Sequence, residues 1–291
     1  AEMLIGRSAQ CNCVNALALL AKKYQAAKSW PYLAWWGASC LLLVLSFYSV
    51  VASWSIAYLY KSLLNQFQGL QPQAIQHLWE NLLQQPLQLI GLHTLFMSMT
   101  MIVVALGVQT GIERAAKIMM PGLFLILAIL CIYAYQLPGF WTAVHFLCQP
   151  HWNAITIKVI INALGLAFFT LAIGAGCMLA YGCYIPKESH IGKAVLNIAL
   201  LDILVAFLSG MAIFPIVFSY NLPTAEGPGL MFKILPVAFA KMPFGQGLGI
   251  LFFLLLLFAA LTSTFSLAEP LVVLIMEKKQ LSRKKSALII G

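Results

Sequence analysis

Apolar residues in this chain come in runs of about twenty or more, parted by shorter polar stretches. Six runs stand out, at about 30–61, 87–106, 118–136, 158–185, 196–220 and 247–276. A hydrocarbon layer about 30 Å thick takes about 20 mainly apolar residues in a helix. The runs lack the alternation of barrel strands, and a backbone crossing lipid must satisfy its own hydrogen bonds, so each run predicts a helix. The pattern therefore predicts an all-α polytopic membrane protein, with residues 1–291 forming a single transmembrane domain. Two runs have unusual lengths. The run 118–136 is short and holds Pro121, whereas 158–185 is longer than a membrane requires and carries Gly174-Ala175-Gly176 near its middle. Such a glycine pair suits close helix packing, or a discontinuous helix whose unwound centre exposes backbone groups. The Gln-rich stretch 65–85 is polar enough for an external loop with a short amphipathic helix. Ala1 to Arg7 reads as the last turns of a helix rather than as a charged-then-apolar leader. Ser286 to Gly291 begins a new apolar run, so the expectation is a chain truncated at both ends.

Composition agrees with a membrane setting. Apolar residues make up 62% and charged ones 9%, against roughly 25% charged in a soluble domain. A water-soluble globule, a disordered chain and a nucleic-acid binder are excluded. The net charge of +9 is unevenly placed. If the loops alternate sides, one side holds Arg7, Lys22, Lys23, Lys28, Arg114, Lys117, Lys187, Lys193, Lys278, Lys279, Arg283, Lys284 and Lys285. The other side holds Lys61, Lys158, Lys233 and Lys241. Positive loops stay inside, so the richer side is cytoplasmic and the charge is a topology signal. Seven cysteines, an odd number with no C-x-x-C pair, suggest neither a disulfide framework nor a zinc site. Cys11 and Cys13 fall on the cytoplasmic side, where thiols stay reduced.

Several polar groups sit where lipid makes them expensive. Asp202 lies inside the run 196–220; an acid at such depth costs about 2.5–3.5 kcal/mol on insertion scales, so it should face a cavity, a cation or a proton path. A structural pair with another helix is the alternative, yet no Lys or Arg lies deep in any run. Ala259, Thr262 and Ser263 share a helix face and offer neutral oxygens suited to a hard cation, although Ser and Thr in such helices also bond back to the preceding turn. Glu269-Pro270 is open between a kink-associated hydrogen bond and a relay. Phe168-Phe169-Thr170, just before the glycines, offers an aromatic lid and a hydroxyl, or plain core packing. Tyr48 brings one hydroxyl that needs a partner. His93 has no second ligand at a useful spacing and reads as structural.

Taken in order along the chain, these segments resemble the sodium:neurotransmitter symporter family, in particular its bacterial amino-acid branch. Glu2-Met3-Leu4-Ile5-Gly6-Arg7 is similar to the end of the family's second helix, and Phe47-Tyr48 with Ser53-Trp54 to its third. Gly111-Ile112-Glu113-Arg114 with Lys117 and Pro121 is similar to the start of its fifth. Phe168-Phe169-Thr170-Leu171, Gly174, Gly176 and Tyr181-x-x-Tyr184 resemble its broken sixth. Gly227-Pro228-Gly229-Leu230 with Leu235-Pro236 resembles its fourth external loop, Ala259 to Ser263 with Pro270 its eighth helix, and Leu281-Ser282-Arg283 the loop after it. The resemblance implies part of a fold of two inverted five-helix repeats, discontinuous near Gly174-Gly176, that binds an amino acid and Na+ at mid-membrane. It implies that Thr170 and Asp202 help ligate a first sodium, and Ala259 (carbonyl), Thr262 and Ser263 a second. Val44, Tyr48, Phe169, Thr170, Ala172, Gly174, Ala175 and Leu267 would line the substrate pocket, with Tyr48 on the substrate carboxylate and Phe169 closing over it. Tyr184 and Glu277 match members of a cytoplasmic gate.

Departures from the family pattern carry expectations of their own. Asp202 stands where Asn is common, Ala206 where chloride-dependent members have Ser, and Leu166 where a Gln is usual. A fixed carboxylate in place of a chloride-site donor implies chloride-independent sodium symport. Ala172 and Ala175 are small, implying a hydrophobic or aromatic amino acid. The family's first helix would lie upstream of Ala1, so the chain by itself is expected not to transport. A proton-coupled transporter and a non-transporting amino-acid sensor of the same fold are the alternatives. A membrane enzyme is disfavoured, because no H-E-x-x-H or G-x-S-x-G pattern occurs. The expected setting is a lipid bilayer, a bacterial inner (plasma) membrane, with no nucleic-acid partner.

Overall fold

A computed structural model describes residues 1–186, 188–224 and 227–291; Lys187, one of the charges assigned to the cytoplasmic side, lies outside them. Short helices α1 (Glu2–Ala9) and α2 (Cys13–Lys23) open the chain. They are followed by α3 (Trp30–Leu63), α4 (Pro72–Leu83) and α5 (Pro86–Ala105). A π-helical turn, Val108–Ile112, leads straight into α6 (Glu113–Tyr135), and α7 (Phe140–Cys148) is short. The broken run supplies α8 (Ile157–Thr170) and α9 (Cys177–Gly182). Then come α10 (Ile191–Ser219), a second π turn (Leu230–Ile234) leading into α11 (Leu235–Lys241), α12 (Gly245–Lys279) and α13 (Arg283–Ile290).

Local signals explain the starts. The Asn12 side chain caps α2 by accepting from the Asn15 N–H at 2.9 Å. Proline in the first turn opens α3, α4 and α5, where its missing N–H has no intrahelical partner to lose. The amphipathic helix expected in the Gln-rich stretch is α4, which buries Ile75, Trp79 and Leu82.

Among the described residues, five helices are long and apolar enough to cross a membrane: α3, α5, the continuous stretch Val108–Tyr135, α10 and α12. One of them differs from the sequence expectation in where it begins. The run that reads as short, 118–136, begins ten residues earlier in the structure, at Val108. Its first turns carry the polar residues Gln109, Thr110, Glu113 and Arg114, which lie outside the apolar run, and Gly111 lets the π turn lie against Val103, where a Cβ would come within 2.1 Å of the carbonyl oxygen. The long run 158–185 is two helices, as the discontinuous reading requires. Between them Ala172, Gly174 and Gly176 all take positive φ (50°, 90° and 87°), a conformation glycine adopts without strain.

The two longest helices, α3 and α12, pack along one another at the centre. One apolar core gathers Tyr58, Phe67, Trp79, Phe232 and Phe253, and a second gathers Leu41, Leu45, Phe96, Phe265 and Leu271. Small residues set a close crossing between α1 and α9: a Cβ on Gly6 would lie 1.9 Å from the Leu179 carbonyl oxygen. His93 meets the buried Ser49 hydroxyl at 3.0 Å. The Ser49 hydroxyl also lies 3.1 Å from the Ser46 carbonyl one turn earlier.

Candidate functional site

The helix break opens onto a cavity of about 520 Å³ walled by α3, α8, the break, α10 and α12. Val44 and Tyr48 lie one turn apart on α3, and Phe169 and Thr170 end α8. Ala172 and Ala175 come from the break, Asp202 from the middle of α10, and Ser263 and Leu267 from α12. Nine of the residues singled out from sequence thus border one space. Tyr48 faces the Ser263 hydroxyl across it. Among the described residues no ion pair engages Asp202, and no cluster of His, Cys, Asp or Glu has the makings of a metal centre. The oxygens gathered here are hydroxyls and one carboxylate. That donor set suits a hard monovalent cation rather than a transition metal.

Breaking the helix frees backbone groups for other partners. The Gly174 N–H donates to Glu2 Oε1 at 2.6 Å, so Gly174 turns to α1 rather than lining the cavity. Glu2 Oε2 is buried beside it and has no hydrogen-bond partner among the described residues. Thr262 and Ala259 also stand back from the cavity. The Thr262 hydroxyl donates to the Ala259 carbonyl at 3.0 Å and leans on Phe258 at 3.1 Å, the back-bonding habit of hydroxyls in lipid. Ser263, next along the helix, is exposed to the cavity. Among the described residues α8 buries no side chain, and Phe169 is 66% exposed.

A second, smaller cavity of about 160 Å³ lies at the Lys- and Arg-rich end and is bordered by both Tyr184 and Glu277. The two residues do not bond to each other. Glu277 accepts from the Asn12 side-chain amide at 2.5 Å, the Asn12 N–H at 3.1 Å and the Asn15 amide at 3.0 Å, tying α12 to the start of α2. Tyr184 instead donates to Glu269, which is 1% exposed and ion-paired with Arg283. Arg283 also donates to the Val104 carbonyl at 2.8 Å.

This Tyr184–Glu269–Arg283 group escaped the sequence reading. Its signal was a Glu in an apolar run, and the Arg that answers it had been counted only as a loop charge. Ser266 was missed as well: it borders the main cavity, and its hydroxyl accepts from Tyr181 at 3.2 Å. Pro270, four residues on, has no N–H to give the Ser266 carbonyl, and the Cys177 thiol donates there instead, at 3.4 Å. The spacing of Thr262, Ser266 and Pro270 held that clue.

Comparison with known proteins bears on this architecture. A sequence model described as the sodium:neurotransmitter symporter family matches residues 73–291. The uncharacterized sodium-dependent transporter YhdH of Bacillus subtilis (strain 168) is 40% identical over 284 residues, covering 98% of this chain and 62% of the relative. An uncharacterized sodium-dependent transporter, MJ1319, of Methanocaldococcus jannaschii is 30% identical over 292 residues, covering 94% of this chain and 58% of the relative. Among solved structures, that of MhsT in complex with L-phenylalanine superposes with a TM-score of 0.90 at 37% identity, covering all of this chain and 65% of that one. The chain therefore spans about three fifths of the length of the curated relatives it matches. A discontinuous helix at a mid-chain cavity, and a fold and sequence shared over essentially the whole length, make this chain a member of the sodium:neurotransmitter symporter family.

Proposed function

We propose that the protein is the greater part of a sodium-coupled symporter that carries a hydrophobic or aromatic amino acid into the cell by alternating access. The reading rests on one observation: Tyr48, Thr170, Asp202 and Ser263, from four separate helices, border the same cavity at the helix break. Thr170 and Asp202 hold a first sodium; Ser263, with the Ala259 carbonyl and Thr262, contributes to a second. The carboxylate of Asp202 offsets its burial by neutralising a cation. Tyr48 donates its hydroxyl to the substrate carboxylate, and Phe169 folds over the substrate from the outer side. Val44, Ala172, Ala175 and Leu267 form an apolar wall with room for a large side chain, and the cavity volume falls in the usual ligand range of about 300–1,000 Å³. Gly174 shapes this pocket through the break, and Tyr184 and Glu277 belong to the cytoplasmic closure. MhsT, the structural neighbour, is described with phenylalanine bound, which agrees with such a wall.

Coupling follows from differential affinity: sodium favours the outward-open arrangement, and substrate favours closure around both. Asp202 supplies the negative charge that a chloride ion would otherwise bring, so transport is chloride-independent. The test is uptake of radiolabelled phenylalanine by vesicles holding the full-length protein, under an imposed sodium gradient. Sodium should raise uptake at least tenfold. Uptake driven by a pH gradient without sodium would replace this reading with proton coupling through Asp202. Binding without uptake under either gradient would make the protein a sensor.

A further inference from the structure

We propose that the corner between α2 and α3 is a binding site for the phosphodiester headgroup of an anionic phospholipid. An open cavity of about 560 Å³ lies where α2 ends and α3 begins. Its walls include Ala18, Ala21 and Pro31, and Lys22, Gln25 and Lys28 also line it. Small residues leave the space, and the lysines give it its sign. Both lysine side chains are exposed, and among the described residues neither joins an ion pair. The start of α3 adds to the field. It is the positive pole of a 34-residue helix, and the Ser29 side chain forms no capping bond there.

The surroundings mark the level of the site in the bilayer. Trp30, Tyr32 and Trp36 stand exposed on the first turns of α3, as aromatic side chains do where hydrocarbon meets headgroups. Leu33 and Trp36, on the same turns, leave an apolar surface for an acyl chain (57% and 73% exposed). A free phosphate would use the lysines and gain nothing from these residues; a lipid uses both. Basic pockets at the cytoplasmic ends of membrane helices hold anionic headgroups by this combination. The site also has a mechanical place in the molecule. The opposite end of α2 holds Glu277 through Asn12 and Asn15, so a lipid bound at Lys22 and Lys28 steadies the far end of the helix that contacts the cytoplasmic closure.

The experiment is lipid retention by the full-length protein in nanodiscs of equal phosphatidylcholine and phosphatidylglycerol, read by native mass spectrometry. The wild type should release with phosphatidylglycerol bound. The double variant Lys22→Gln, Lys28→Gln should retain it at least about tenfold less, as removing two lysines from an anionic interface implies. Lys158→Gln, remote from this corner, should retain it as the wild type does. Both variants change exposed side chains, and a monodisperse elution profile checks their folding. Equal retention by the double variant, or equal loss in Lys158→Gln, overturns the proposal. Displacement of the lipid by inorganic phosphate at matched ionic strength would reassign the corner to a soluble anion and equally overturn it.

Discussion

The Tyr184 hydroxyl donates to Oε1 of Glu269 at 2.8 Å, and the other oxygen of that carboxylate is taken by Arg283. Glu269 is far more deeply buried than Arg283, so the two partners are not equivalent. Removing the arginine strands a charge inside the protein, which costs about 3–5 kcal/mol, whereas removing both charges together leaves nothing unpaired. Arg283→Met should therefore lower the melting temperature more than the double variant Glu269→Leu, Arg283→Met. Thermal unfolding of detergent-solubilised protein, followed by tryptophan fluorescence, measures both. A single variant that melts with the wild type would show that the pair contributes nothing.

The proposed role of Asp202 predicts that ion binding and substrate binding can be separated at this residue. Asp202→Asn keeps the shape and removes the charge, and losing about 1.4 kcal/mol of cation binding is a tenfold change in affinity. Sodium affinity should fall at least tenfold while phenylalanine affinity at saturating sodium stays within about twofold. Equilibrium binding at graded sodium concentrations reads both quantities. An unchanged sodium affinity would remove Asp202 from the ion site.

Chloride replacement is the complementary test. On the proposed reading, in which Asp202 supplies the fixed negative charge, uptake by the full-length protein in sodium gluconate should match uptake in sodium chloride. A large drop on replacement would contradict that charge balance.

The α1–α9 crossing gives a sharp contrast between two glycines. A methyl group on Gly6 would run into the Leu179 carbonyl oxygen, whereas one on Gly91 meets nothing within 4 Å. Overpacking of this kind costs typically about 1–3 kcal/mol. Gly6→Ala should destabilise the protein by that order, and Gly91→Ala should be neutral, in the same melting assay.

Thiol labelling reports on the loop between α1 and α2. Burial, and then the negative charge of Glu277, hold the Cys11 thiol above its ordinary pKa, and burial does the same for Cys13. The thiolate is the reactive form. Labelling of these two by a maleimide should be slow at neutral pH and should accelerate as pH rises beyond about 8.5, the ordinary value of a free cysteine. Cys148, exposed at the end of α7, should label before either of them at neutral pH. Peptide mapping after timed labelling checks the order; faster reaction at Cys11 than at Cys148 would contradict the burial argument.

Much of this was legible before any coordinates, for identifiable reasons. Long apolar runs fix helices because lipid offers the backbone no other partner. The break was readable as one of two options because two glycines two residues apart have few uses inside a helix. Hydropathy alone did not give the start of α6, because Glu113 and Arg114 look like loop residues; the resemblance of Gly111 to Arg114 to the start of the family's fifth helix did, though without any sign of the π turn that precedes it. Site residues on a single helix face, such as Val44 with Tyr48, follow from periodicity. Partnerships between distant segments, such as Glu2 with Gly174 or Glu269 with Arg283, depend on how helices meet in space, and local pattern does not encode that. For Thr262 the competing habit of hydroxyls in lipid prevailed, and its oxygen is engaged within α12.

Pro270 leaves a gap in the ladder of α12, and a neighbouring helix fills it: Cys177 gives its thiol hydrogen to the Ser266 carbonyl. That carbonyl has no donor of its own to fall back on. Were α9 to part from α12, the oxygen would be bare unless a solvent molecule took the place of the sulfur. Separation of these two helices would therefore be tied to wetting of the seam between them.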